Sequence, residues 1–352
     1  MVDAVTFTIN INKYLTTEKA GRWPVFDKLQ HCLMRLSETG LTKTDPTVLT
    51  KCTVCPRHCR SNRYSGKRGY CNAGAGFEIA SICIHHGEEP SVGGPSGICN
   101  VFFSRCNLQC IYCQNCQISS NSEDIIHREW SLPEVVAQIG RFLDDGCKAV
   151  GFVSPSHMVP QMLIIIDAIR NTGRNPVIVY NTNAYEKVEV LRNLEGIIDV
   201  YIPDFKYSDP ELAGGLSDAR DYPEVAEKAI KEMFRQKGAP LITDDDGQAI
   251  SGLIIRHLVI PGQVENSLNV LRFISSELSP KIHVSLMSQY HPMPAVKGHP
   301  FLGRSLTDEE YFTVTEELER LGLHHGWIQD LESNSNYLPD FNNEHPFEKK
   351  VK

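Results

Sequence analysis

No apolar run in this chain of 352 residues approaches the roughly 20 needed to cross a bilayer, and Met162–Ile166 is far too short. Positive charge is not in excess. The 35 Lys and Arg against 43 Asp and Glu leave a net charge of −8, which speaks against a general nucleic-acid binder working through phosphate contacts. The first residues lack the basic-then-apolar pattern of a secretory signal. No internal repeat is visible, so a solenoid is not expected. What the chain has is cysteine, 12 in all. Without a signal, in a chain this long, metal or cluster ligation is expected rather than disulfides, in a reducing cytoplasm. The length suits one large domain or two. A (β/α) barrel of roughly 200–250 residues would leave room for an N-terminal module.

The densest cysteine set is Cys106-Asn107-Leu108-Gln109-Cys110-Ile111-Tyr112-Cys113, three thiols in a C-x3-C-x2-C pattern. Thiolates are the usual ligands of iron–sulfur clusters. Three of them on one tight loop leave one iron of a four-iron cube without a protein ligand, and an open metal position is what separates catalytic from structural sites. Asn100–Arg105 ahead of the loop reads as a short buried strand. A zinc knuckle or three unligated core cysteines are the plainer readings. Cys116 continues the spacing, but as a fourth ligand it would close the open iron, so it reads as a neighbour. Cys32, Cys83, Cys99 and Cys147 read as small buried apolar residues.

A second set, Cys52-x2-Cys55-x3-Cys59-x11-Cys71, gathers four thiols in twenty residues, with Arg57, Arg60, Arg63, Lys67 and Arg68 among them to offset thiolate charge. It fits a tetrahedral zinc site or an auxiliary [4Fe–4S] cluster. The organisation expected is 1–48 as a helical extension, with an amphipathic helix over Trp23–Glu38; 49–99 as a cysteine-rich module and bridge; 100–330 as the core; and 331–352 as a polar flexible tail. In the core, short apolar runs alternate with amphipathic stretches, the pattern of βα units and a parallel sheet. Ser131 and Glu134 form a capping-box pair ahead of a helix that Gly146 stops. Strands are expected at Asn100–Arg105, Ala149–Val153, Val177–Tyr180, Ile198–Ile202, Leu253–Ile260 and Ile282–Leu286. Periodicity alone allows a barrel or a doubly wound sheet.

The stretch Phe102–Asn115 resembles the cluster loop of radical S-adenosylmethionine (SAM) enzymes, and within them the pyruvate formate-lyase-activating branch. The second cysteine set and His86-Gly87-Glu88-Glu89-Pro90 resemble a group described as related to that activator, and the resemblance covers roughly 50–330. It implies an α/β fold, a partial (β/α)6 TIM-like barrel with a small cysteine-rich N-terminal module. It implies a [4Fe–4S] cluster on Cys106, Cys110 and Cys113, with SAM chelated at the open iron and cleaved to a 5′-deoxyadenosyl radical. It also implies an electron donor such as flavodoxin or ferredoxin. The expected target is a glycyl-radical enzyme, or else a small molecule, peptide or RNA. A non-catalytic Fe–S or zinc scaffold is the rival of another class. By the resemblance Asn115, Asn181, Asp204, Lys206, Arg256 and His291 line the SAM pocket, with Lys206 pairing the methionine carboxylate. Where the family often has a Gly-Gly-Glu segment, this chain has Gly151-Phe152-Val153-Ser154-Pro155-Ser156. No carboxylate stands there, so Ser154 or Ser156 and backbone carbonyls are expected to serve.

Overall fold

A computed structural model describes residues 46–122, 124–331 and 338–347. The helix expected over Trp23–Glu38, and Cys32 with it, lie outside the described residues. The chain enters a ten-stranded sheet as β1 (Phe77–His85), antiparallel to β2 (Ile98–Phe103). β3 (Arg128–Trp130) pairs on the other side of β1. From β2 onward the pairing is parallel and follows chain order: β4 (Ala149–Val153), β5 (Val177–Thr182) and β6 (Val200–Pro203). The short β7 (Ile242–Thr243) lies antiparallel on β8 (Ala249–Leu258), which pairs with β6 and with β9 (His283–Met287). β10 (Gly326–Ile328) adds a seventh parallel strand, and β3 and β10 are the two edges. A doubly wound sheet reverses strand order at a switch point. This order never reverses, so the arrangement is the partial barrel.

All six expected strands are present, with ends shifted by a few residues. β1, β3, β7 and β10 carried no readable signal; three of them are two or three residues long and largely exposed.

Short helices α1 (Pro90–Gly93) and α2 (Cys116–Ser119) precede the longer ones: α3 (Leu132–Asp144), α4 (Val159–Asn171), α5 (Val188–Asn193), α6 (Pro210–Ser217), α7 (Tyr222–Lys237), α8 (Val264–Phe273) and α9 (Asp308–Arg320). The Ser131–Glu134 capping box opens α3 as read from sequence. α4 is buried nearly all round, Met162 to Ile166 included, and each such side chain contributes about 1.5–3 kcal/mol on leaving water.

Alternation along the strands sorts the concave face into two storeys. Its lower storey is apolar: Ile98, Ala149, Val179, Val200, Ile202 and Ile254 form one cluster, plugged by Val92 of α1. In the same register one or two steps on stand Asn100, Gly151, Asn181, Asp204, Arg256 and Ser285. Gly151 is glycine for a steric reason: a Cβ there would lie 2.1 Å from Asn100 Oδ1.

Residues 49–99, read as a cysteine-rich module and bridge, pack into the main core through Leu49, Cys52, Val54, Tyr64 and Cys71. One expectation about the ends is corrected. Part of the expected flexible tail, 338–347, docks. Phe341 and Phe347 pack on Phe102 with ring centroids 5.3 and 5.6 Å away, and the Phe341 amide donates to Gln117 Oε1 (2.8 Å). Apolar residues in a polar stretch found a surface that the sequence does not show.

Candidate active site

The cysteine loop begins where β2 ends. Arg105 holds a left-handed backbone (φ 72°), uncommon for a residue with a side chain, and it turns the chain out of the strand. It is fixed by a buried ion pair with Glu78 (3.4 Å) and a bond to the Ser122 carbonyl (2.9 Å). Four further bonds clamp the loop: Asn107 Nδ2 to the Tyr185 carbonyl (2.8 Å), Arg57 Nε to the Asn107 carbonyl (2.8 Å), the Ile111 amide to the Leu216 carbonyl (2.9 Å), and Gln114 Nε2 to the Gln289 carbonyl (2.7 Å).

Burial pushes the Cys106 thiol up to about 12, and neighbouring Cys110 adds to the shift. Burial also raises Cys110 and Cys113, against the pull of Lys206 on both. Cys106 is buried and Cys110 and Cys113 are half-buried. Three close thiols that oppose one another's ionisation form a site that a cationic centre relieves. Among the described residues no three His, Cys, Asp or Glu side chains converge on a single metal ion. A cube spreads three thiolates over three irons, so this loop fits a cluster without such convergence. Cys116 is exposed, as its reading as a bystander requires. Cys83, Cys99 and Cys147 are buried as expected.

Cys110 and Cys113 face a cavity of about 310 Å³ at the upper storey of the barrel. Asn115, Ser154, Asn181, Asp204, Lys206 and Arg256 all line it. His291 does not; the turn after β9 sends Gln289 into the cavity instead. Ser156 is also turned away, fully buried and donating to Glu186 Oε1 at 2.5 Å. Ser154 sits at the cavity in a left-handed conformation (φ 52°).

Carboxylates do stand at the cavity, supplied from outside the barrel strands. Glu88 and Glu89 line the cavity from the segment before α1, within the residues 49–99 read as module and bridge. Arg256 Nε donates to Glu89 Oε1 (2.7 Å), its Nη2 bonds both glutamates, and Asn100 Nδ2 donates to Glu88 Oε1 (2.7 Å). Burial alone would raise Glu88, but Arg256 holds it well below the carboxylate range. The signal was the His86–Pro90 segment; nothing local says that it folds into the barrel. Lys206 Nζ donates to Asp204 Oδ2 (2.7 Å). Burial would lower this ammonium, but Asp204 and Cys110 outweigh it and hold it raised.

Behind the cavity wall Glu186 is fully buried. Ser156, Thr182 and Tyr180 donate to its Oε1, Oε2 has no partner, and burial raises its pKa.

Cys52, Cys55, Cys59 and Cys71 ring a void of about 10 Å³ with His58 and His157. Burial pushes Cys55 up to about 12 and raises Cys71 as well, with Arg63 offsetting part of the Cys71 shift. Arg57 stacks over Tyr70 (3.7 Å) and Arg68 pairs Glu78 (2.7 Å), so these cations serve protein contacts as well as the thiols.

No family model matches the chain. Over 280 residues, 78% of this chain and 76% of the relative, it is 30% identical to the Uncharacterized protein MJ0674 of Methanocaldococcus jannaschii. The chain belongs to that protein's family. Solved structures that align with it include Streptococcus suis SuiB bound to S-adenosylmethionine (13% identity, 68% of this chain and 52% of that chain, TM-score 0.43). Another is the FeFe-hydrogenase maturase HydG from Carboxydothermus hydrogenoformans (15%, 86% and 70%, TM-score 0.46). A third is a mutant of spore photoproduct lyase (12%, 69% and 76%, TM-score 0.42). The match spans about half the length of the SuiB chain. No helix among the described residues is long and apolar enough to cross a membrane.

Proposed function

We propose that this chain is a radical SAM enzyme, with a [4Fe–4S] cluster on Cys106, Cys110 and Cys113 and SAM in the adjoining cavity. One observation carries the reading: a clamped loop of three thiols opens onto a cavity with three carboxylates (Glu88, Glu89, Asp204) against two cations (Lys206, Arg256). The surplus negative charge suits a ligand that carries a sulfonium. When bound, the pair supplies reductive cleavage of SAM and a radical able to abstract hydrogen.

The chain's own groups bind and orient. Asp204 and the two glutamates are acceptors for an ammonium, and Lys206 is a donor for a carboxylate. Asn115, Asn181 and Ser154 offer neutral hydrogen-bonding groups beside them. Phe102, Val153, Leu258, Met287 and Phe347 supply the apolar part of the cavity's lining. A non-catalytic scaffold has no use for such a polar cavity beside its cluster.

The specific activity we favour, on the resemblance of Phe102–Asn115, is hydrogen abstraction from a glycine of a partner protein, with flavodoxin or ferredoxin as electron donor. For the N-terminal cysteines we propose a metal site. Their compact spacing around one small void supports ligation, by zinc or by an auxiliary [4Fe–4S] cluster.

Anaerobically reconstituted protein with dithionite and SAM should release 5′-deoxyadenosine. Cys110→Ala should abolish this and Cys116→Ala should not. Full activity in Cys110→Ala would sink the assignment. Deuterium exchange between 5′-deoxyadenosine and candidate substrates identifies the target.

A further inference from the structure

Each of the three loop sulfurs has a side-chain hydrogen-bond partner, two of them from distant parts of the chain. Ser217 Oγ, at the end of α6, donates to Cys110 Sγ at 2.9 Å. Ser119 Oγ, at the end of α2, stands 3.1 Å from Cys113 Sγ. Asn183 Nδ2, just past β5, donates to Cys106 Sγ at 3.4 Å and to Asn107 Oδ1 at 2.8 Å. The Ser217 contact has a further supply. Tyr207 Oη lies 2.6 Å from Ser217 Oγ, and Tyr112 Oη lies 2.5 Å from Tyr207 Oη. All three of these hydroxyl-bearing residues are buried.

A thiolate is acceptor-only, and this sets the direction of the chain. Ser217 must give its proton to sulfur, so Tyr207 gives to Ser217 and Tyr112 gives to Tyr207. Each bond polarises the next, and the low dielectric strengthens the last one. Tyr112 belongs to the cysteine loop itself, two residues past Cys110, so the loop supplies the far end of a relay that returns to its own sulfur.

We infer that Ser217, backed by Tyr207 and Tyr112, and Ser119 are positioning residues that set the reduction potential of the cluster. This rests on the cluster assignment above. One-electron reduction, by dithionite in the test, adds one negative charge to the cluster and no proton. Much of that charge falls on the sulfurs. Donors to sulfur therefore stabilise the reduced form more than the oxidised form and raise the potential. Ser217 should matter more than Ser119, because it is fully buried and polarised by its chain, whereas Ser119 is partly open to solvent.

The test is potentiometric titration of the full-length reconstituted protein, read by the spectrum of the reduced cluster, with iron and sulfide assayed alongside. Ser217→Ala should make the cluster about tenfold harder to reduce, a shift of about 59 mV to more negative potential. Tyr207→Phe should shift it the same way by less. Ser119→Ala should also shift it negative, and its half-buried site tolerates the change if Ser217→Ala takes up no cluster. Unmoved potentials in cluster-loaded Ser217→Ala and Ser119→Ala overturn this inference and leave the cluster standing. Wild-type protein that takes no cluster overturns both.

Discussion

Arg256 and Glu89 stand 167 residues apart in the chain and meet inside the barrel, Nε to Oε1 at 2.7 Å and Nη2 to Oε2 at 2.5 Å. With Glu88 they tie the segment before α1 to β8 across the concave face. A buried ion that loses its partner costs about 3–5 kcal/mol. Arg256→Ala should therefore destabilise the fold by about that much in chemical denaturation. Arg256→Met combined with Glu88→Gln and Glu89→Gln should lose less than the single change, because no charge is left unpaired. A single variant as stable as the parent would show that the pairing contributes nothing.

Lys206 faces the cluster loop and pairs with Asp204. If it binds the carboxylate of SAM, Lys206→Ala removes a charge-assisted bond of roughly 1.5–3 kcal/mol and weakens SAM binding roughly ten- to hundredfold. Iron content should not change. Equilibrium dialysis against labelled SAM gives the answer, and an unaltered affinity removes Lys206 from the SAM site.

Glu186 introduces a pH dependence. Its folded pKa lies above the unfolded one, so the folded state holds the proton more tightly. That stability is fully present below the ordinary carboxylate range, about 4.3, and is lost as pH rises through the elevated folded value. Glu186→Gln keeps an acceptor for Ser156, Thr182 and Tyr180 without a charge to bury. Melting temperatures at about pH 5 and about pH 9 should fall further apart in the wild type than in Glu186→Gln. Equal slopes would mean that Glu186 does not titrate there.

The N-terminal cysteines are not remote from the loop, contrary to what a separate module would suggest. Arg57 lies between Cys55 and Cys59 in the chain, and it holds the carbonyl of Asn107 beside Cys106. Replacing Cys52 and Cys55 together should open residues 52–76 to protease and also lower the yield of reconstituted cluster. Metal analysis of anaerobically purified protein distinguishes about four irons with one zinc from about eight irons. A double variant with unchanged metal content and protease resistance would mean that these cysteines bind nothing.

Local chemistry was legible from the sequence alone. Three thiols spaced C-x3-C-x2-C, the Ser131–Glu134 cap and the apolar runs of β4, β5 and β8 are short-range facts, and their geometry follows from the dihedral menu and side-chain periodicity. Asp204, Lys206 and Arg256 could be placed because strand ends in such a barrel point into one cavity. Tertiary structure alone decided the partners. Glu88 and Glu89 sit in a segment whose pattern reads as a linker, and only burial beside Arg256 makes them part of the site. Ser156 and His291 do not line the cavity, because loop geometry past β4 and β9 decides where they point: Ser156 is buried against Glu186, and His291 lies beyond Gln289, which takes the cavity position. The Tyr112–Tyr207–Ser217–Cys110 chain joins two loops about a hundred residues apart, and no spacing rule anticipates it. A sequence states which groups are available. Which of them meet depends on packing over long chain separations, where the gain from burying a polar group comes only with the partner that satisfies it.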